Sequence, residues 1–221
     1  MILMPYAVDV TMYRWPVANF ALIGLIVFTS LSGFGATTDS PLALLPLDGW
    51  NPIGLFGHVF LHADLFHLLG NMLFLWTFGN AVCAKVGNAR FAGLFFAMAG
   101  IAGIFHNLFT GGVAIGASGA INGVVGMFLV YFPRNDVRCF WTIVLRSGTF
   151  SISSVWMILF WLAFDIWGAW SGGGNVAYWA HLGGFAAGFA IAIHSLRHRW
   201  VRMTATECSL LQVVSGGRYL P

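Results

Sequence analysis

The sequence predicts an all-α membrane protein, a bundle of six transmembrane helices, and three observations predict it. Of 221 residues, 59% are hydrophobic and only 8% are charged, with mean hydropathy +0.83. Soluble domains carry about 25% charged residues, so a chain this apolar belongs in a bilayer. The third observation is where the charges fall. Arg14, then Lys85 and Arg90, then Arg134, Arg138 and Arg146, then Arg197, Arg199, Arg202 and Arg218 account for all 10 basic residues. In a six-span topology all of them lie on one side. By the positive-inside rule that side is the cytosol, with both termini there, in the cell membrane if the source is bacterial. The opposite connections carry Asp39, Asp48 and Asp64. The net charge of +3 is thus a topological signal, and nucleic-acid binding is not indicated.

A span needs about 20 apolar residues, and windows of that length place six at about 17–34, 65–83, 91–110, 118–133, 152–170 and 176–196. Residues 1–197 therefore read as one membrane domain and 198–221 as a polar, loosely ordered cytosolic tail. The N-terminus does not read as a signal peptide, because Asp9 precedes Arg14 and the apolar run that follows is long enough to span. Cys83, Cys139 and Cys208 fall on the cytosolic side, where a structural disulfide is not expected, and no pair has metal-ligand spacing.

The first connection, about 35–64, is too apolar for a solvated linker and reads as a structure in the outer interface, with Trp50 as an anchor. His58 and His62 end it at i,i+4 spacing. A metal site would need a third ligand at suitable spacing, and none stands there; hydrogen bonds tying this connection to span two are the better reading. No metal and no cofactor are expected.

In span two, His67 and Asn71 share one helical face. Polar groups inside a membrane must face protein or a wet cavity, so the pair either bonds across helices or lines a site. His106 and Asn107, at the outer end of span three, need only interfacial solvation. Span four is short, and its Gly119, Gly123 and Gly126 suit it to burial among its neighbours. It opens on Gly116-Ala117-Ser118-Gly119. A serine between small residues at a helix start is approachable, and the unpaired N–H groups there favour developing negative charge. By itself that motif reads better as a small-residue helix cap. In span five, Asp165 is an intramembrane carboxylate followed by Gly168 and so a functional candidate by default, although capping of loop residues is the better reading. In span six, His181, Gly184 and Gly188 share a face that matches the glycine face of span four, so close approach brings Ser118 and His181 within reach of each other.

These residues together resemble the rhomboid intramembrane serine proteases. The likeness covers about residues 15–196 and rests on His58 and His62, on His67-Leu68-Leu69-Gly70-Asn71-Met72, on Gly116-Ala117-Ser118-Gly119, and on Ala180-His181-Leu182-Gly183-Gly184 with Gly188. The resemblance implies a six-helix rhomboid bundle in which Ser118 is the nucleophile and His181 the general base of a dyad lacking a carboxylate. It further implies an oxyanion hole formed by Asn71, His67 and the Ser118 N–H, and a membrane-protein substrate cut in or beside its transmembrane segment. Three positions depart from the pattern. Trp50-Asn51 stands where many members have Trp-Arg, Cys83 where many have glutamate, and Asn122 where many bacterial members have an aromatic ring beside the histidine. Asn122, one turn below Ser118, suggests either a polar packing residue or a neutral amide that orients His181.

Two other classes share this composition. One is a non-proteolytic rhomboid-like protein that binds and escorts membrane clients; such relatives typically lack the serine or the histidine, and both are present here. The other is a small proton-coupled transporter relaying protons through His67, Asp165 and His181, for which the inner halves of the spans offer no comparable chain of polar groups.

Overall fold

The computed structural model describes residues 2–32, 40–46, 51–143, 146–172, 174 and 176–216. Trp50, Asp39, Asp48 and Arg218 lie outside them. Strand β1 (Ile2–Val8) precedes helix α1 (Val17–Ser32). Short helix α2 (Pro52–Gly57) starts with Pro52, whose missing N–H costs nothing at that position, and Asn51 caps it by accepting from the Gly54 N–H. A single 3-10 turn (His58–Phe60) follows. The described end of the first connection is thus folded: Phe56 and Leu55 pack against Gly100 and Gly103 of the next long helix after span two.

Helix α3 (Leu65–Phe74) is capped by Asp64, which accepts from the His67 N–H. It runs through a π-turn (Leu75–Gly79) into α4 (Asn80–Val86), giving one apolar stretch of 22 residues. Asn19 of α1 accompanies this irregularity: its amide donates to the Leu75 carbonyl at 3.0 Å and to Asn80 Oδ1 at 2.8 Å. Helix α5 (Asn88–Phe109) is followed by α6 (Ser118–Tyr131), strands β2 (Asp136–Ile143) and β3 (Arg146–Ser153), and helices α7 (Ser154–Ser171), α8 (Tyr178–Arg197) and α9 (Leu210–Val214).

Among the described residues, four helices are long and apolar enough to cross a membrane: Leu65–Val86, Asn88–Phe109, Ser154–Ser171 and Tyr178–Arg197. Helices α1, of 16 residues, and α6, of 14, are apolar but shorter. Helix α6 is about 21 Å long and runs through the core. All its residues are buried except Ser118 and Asn122.

The packing of α6 on α8 sets the geometry of the bundle. A side-chain carbon at Gly184 would collide with the Gly119 carbonyl, one at Gly188 with the Gly123 carbonyl, and one at Gly126 with the Phe185 carbonyl. Backbones meet here without intervening side chains, as small residues permit between membrane helices. Helix α7 is held far less tightly; only Ser154, Met157, Ile158 and Gly168 of it are buried.

Two expectations need correcting. The protein is mostly helical but not all-α: β1, β2 and β3 form an antiparallel sheet in that order. Its signal is short alternation, with Val137 and Cys139 buried against the core and Arg138 exposed between them; the basic residues there read as a plain loop. The segment after α8 is also more ordered than its polarity suggests. Ser209 and Gln212 form a capping box on α9, and Glu207 pairs with Lys85 of α4.

Candidate active site

Ser118 is the first residue of α6, so the N–H groups of its first turn have no partner within the helix. The approach to it is built by the first connection. The Gly116 N–H donates to the His58 carbonyl at 2.9 Å, and His58 Nδ1 lies 3.0 Å from the Gly116 carbonyl. Burial pushes the His58 imidazole down from its ordinary value. Its Nε2 lies 3.4 Å from the Ala99 carbonyl, so the ring bridges the chain before Ser118 and helix α5. Gly116 has φ of 114°, a conformation that favours glycine, and a side chain there would stand 2.8 Å from the His67 ring. His58 thus holds the strand of chain that delivers Ser118. His62 is bonded differently, through Nδ1 to the Ser30 hydroxyl of α1 at 2.9 Å, with its ring edge-on to His67.

His181 stands in the first turn of α8. Its Nε2 is 2.9 Å from Ser118 Oγ, and its Nδ1 is 2.9 Å from Asp165 Oδ1 of α7. The sequence reading made Asp165 a cap for loop residues; its carboxylate instead meets the imidazole. Gly168 permits this. One turn along α7 from Asp165, it lies against the Tyr178 ring of α8 so closely that any side chain there would collide with the ring. Asn122 does not bond to the imidazole, because its amide donates to the Ser118 carbonyl one turn back at 3.0 Å. A short side chain at i+4 reaches its own helix backbone more readily than a ring on α8.

Asn71 and His67 of α3 line the same cavity as Ser118 and His181, a space of about 780 Å³. The Asn71 amide donates one N–H to the His67 carbonyl at 3.0 Å, which leaves its second N–H for another partner. His106, given no role from the sequence, also lines the cavity, and Asn107 donates to the Leu45 carbonyl at 3.1 Å, tying the first connection to α5. Among the described residues no cluster of three metal-ligating side chains exists. Asp165 stands out in the sequence as an intramembrane carboxylate, but nothing local names the histidine on α8 that it meets.

The fold and the site define a membrane protein of apolar helices in which a serine and a histidine meet beside a cavity. Residues 49–198 match the family model of the Rhomboid domain, and the chain belongs to the rhomboid family. The Rhomboid protease GlpG of Klebsiella pneumoniae is 29% identical over 154 residues, covering 70% of this chain and 51% of that protein. Rhomboid protein 1, mitochondrial, of Saccharomyces cerevisiae is 32% identical over 150 residues, with coverage of 62% and 40%. RHOMBOID-like protein 1 of Arabidopsis thaliana is 34% identical over 139 residues, with coverage of 62% and 33%. The chain spans about half the length, or less, of these curated relatives.

Proposed function

We propose that this integral membrane protein is an intramembrane serine endopeptidase, with Ser118 as nucleophile and His181 as general base. The observation that carries the reading is the 2.9 Å contact between Ser118 Oγ and His181 Nε2, at the mouth of a helix N-terminus. In the first step Oγ bonds to the substrate's carbonyl carbon as its proton passes to Nε2, and the carbonyl electrons move onto oxygen. The N–H of Ser118, the Asn71 amide and His67 are the donors proposed for that oxyanion. Collapse breaks the C–N bond, and the leaving amine takes the proton from Nε2. Water then hydrolyses the acyl-serine by the same route.

The substrate class follows from the setting: a membrane protein cut in or beside its transmembrane segment. A helical segment has its carbonyls already bonded, so the scissile stretch must unwind, and small or helix-breaking residues favour it. In this reading α1 and α6 join the four longer helices as six spans of a domain over residues 1–197. The termini face the cytosol, with 198–221 appended there and the cell membrane as the location in a bacterium.

The experiment is incubation of purified protein in lipid vesicles with a panel of labelled transmembrane peptides and mass analysis of the products. Defined cleavage by the native protein, and none by Ser118→Ala, is the expected result. Tight peptide capture with no cleavage would replace the protease reading with a client-binding one.

A further inference from the structure

We infer that Asp165 is a positioning residue that completes a Ser118–His181–Asp165 triad, so that this chain uses a carboxylate on α7 where the family resemblance implies a dyad without one. The inference rests on the protease reading for its consequence and on geometry for its content.

The argument is one of proton accounting on a single ring. Nε2 can take the Ser118 proton only if its lone pair is free, which in a neutral imidazole requires the N–H to sit on Nδ1. A carboxylate 2.9 Å from Nδ1 accepts an N–H and repels a lone pair, so it selects that tautomer. The same contact fixes the ring plane along the line from Asp165 Oδ1 through the ring to Ser118 Oγ. When Nε2 takes the proton, the imidazolium stands beside a negative charge, with both side chains mostly removed from water at 13% and 14% exposure. In such a triad the carboxylate orients the ring and stabilises the imidazolium, and no proton passes to it.

The surroundings favour this use of Asp165. Among the described residues its carboxylate has no basic partner other than His181. His181 borders two spaces: the cavity that holds Ser118 and a smaller one of about 200 Å³ bordered by Phe74, Trp161 and Phe185 as well as Asp165. A carboxylate on an apolar wall of a membrane bundle is costly, and its bond to the imidazole is the interaction that offsets the cost. Asn122, which could otherwise orient the ring, bonds to the Ser118 carbonyl. Close packing at Gly168 brings α7 near enough for Asp165 to reach.

The test uses the full chain in vesicles, with Asp165→Asn and Asp165→Ala. It has two readouts: cleavage kinetics on a transmembrane peptide, and nuclear magnetic resonance of nitrogen-labelled histidine, with the His181 signal assigned by its loss in His181→Gln. The expected result is a low-field Nδ1 proton in the native protein that disappears in both variants. Turnover should fall by about 10²–10⁴-fold with KM nearly unchanged, as loss of an orienting carboxylate requires. Turnover in both variants within threefold of native, with the native enzyme active, would overturn the triad and leave the serine–histidine protease standing. A native His181 carrying its proton on Nε2 would overturn it whether or not the protein cleaves. Native protein that cleaves nothing but shows the Asp165-dependent Nδ1 proton would support the positioning and remove the protease reading instead.

Discussion

The carbonyl oxygen of Gly119 occupies the place where a side chain on Gly184 would begin. Gly119 follows Ser118 in α6, and Gly184 lies three residues after His181 in α8, so this contact sets the separation of the two reacting groups. Gly184→Val should force the helices apart and lengthen the Ser118–His181 bond. Turnover should then fall at least tenfold alongside a lower thermal midpoint, as for overpacking that costs about 1–3 kcal/mol. Gly24→Val, at a position with open space around it, is the control and should leave both unchanged. Peptide cleavage and thermal scans in the same vesicles check it.

Ser118→Ala and His181→Ala should each abolish cleavage while the protein remains folded. The double variant should be no slower than either single one, because nucleophile and base act in one step. Residual rates of the three variants on one peptide settle the point; additive losses would mean that the two act separately.

The two asparagines should behave differently. Asn71→Ala should lower turnover about 10–10³-fold with little change in KM, since its free N–H gains most from charge present only in the transition state. Asn122→Leu should cost less than about tenfold, because its bond goes to a helix carbonyl and is worth about 1 kcal/mol. Steady-state kinetics of both variants separate the oxyanion donor from the packing residue.

His62 should make stability depend on pH. Burial, reinforced by the neighbouring His67 and opposed by Asp64, pushes its imidazole down to about 4. In the unfolded chain it titrates at about 6.5, so between these values the unfolded state binds the proton and the folded state does not. Stability is therefore full above about 6.5 and declines as pH falls toward about 4. The thermal midpoint should drop across that window, and His62→Gln should flatten the drop without removing it, because His58 is shifted the same way by burial.

Much of this arrangement was legible in the sequence for physical reasons. Glycines at positions 119, 123, 184 and 188 announced which helix faces would touch, and their spacing carried Ser118 and His181 toward one another. What stayed hidden depended on contacts between distant segments. Asp165 could be seen as an anomaly, but its partner lies on another helix and is reached only because Gly168 accepts the Tyr178 ring. Strand β1 is a short stretch whose partner lies more than a hundred residues away, and no local pattern names it. Asn122 pointed along the right face and bonded to the nearer acceptor on its own helix.

The junction of β3 and α7 has a mechanical consequence. The strand ends at Ser153 and the helix begins at Ser154, whose N–H bonds to the Asn135 carbonyl and whose hydroxyl bonds to that of Phe132. The foot of α7 is therefore clamped beneath α6, and Gly168 against the Tyr178 ring holds it to α8 one turn beyond Asp165, with few buried residues between. Asp165 sits about 16 Å up this beam. A tilt of about 5° about the clamp swings its carboxylate by about 1.4 Å, more than a hydrogen bond tolerates. Lipids or a substrate leaning on the beam would act on the histidine through leverage alone, far from any atom that reacts.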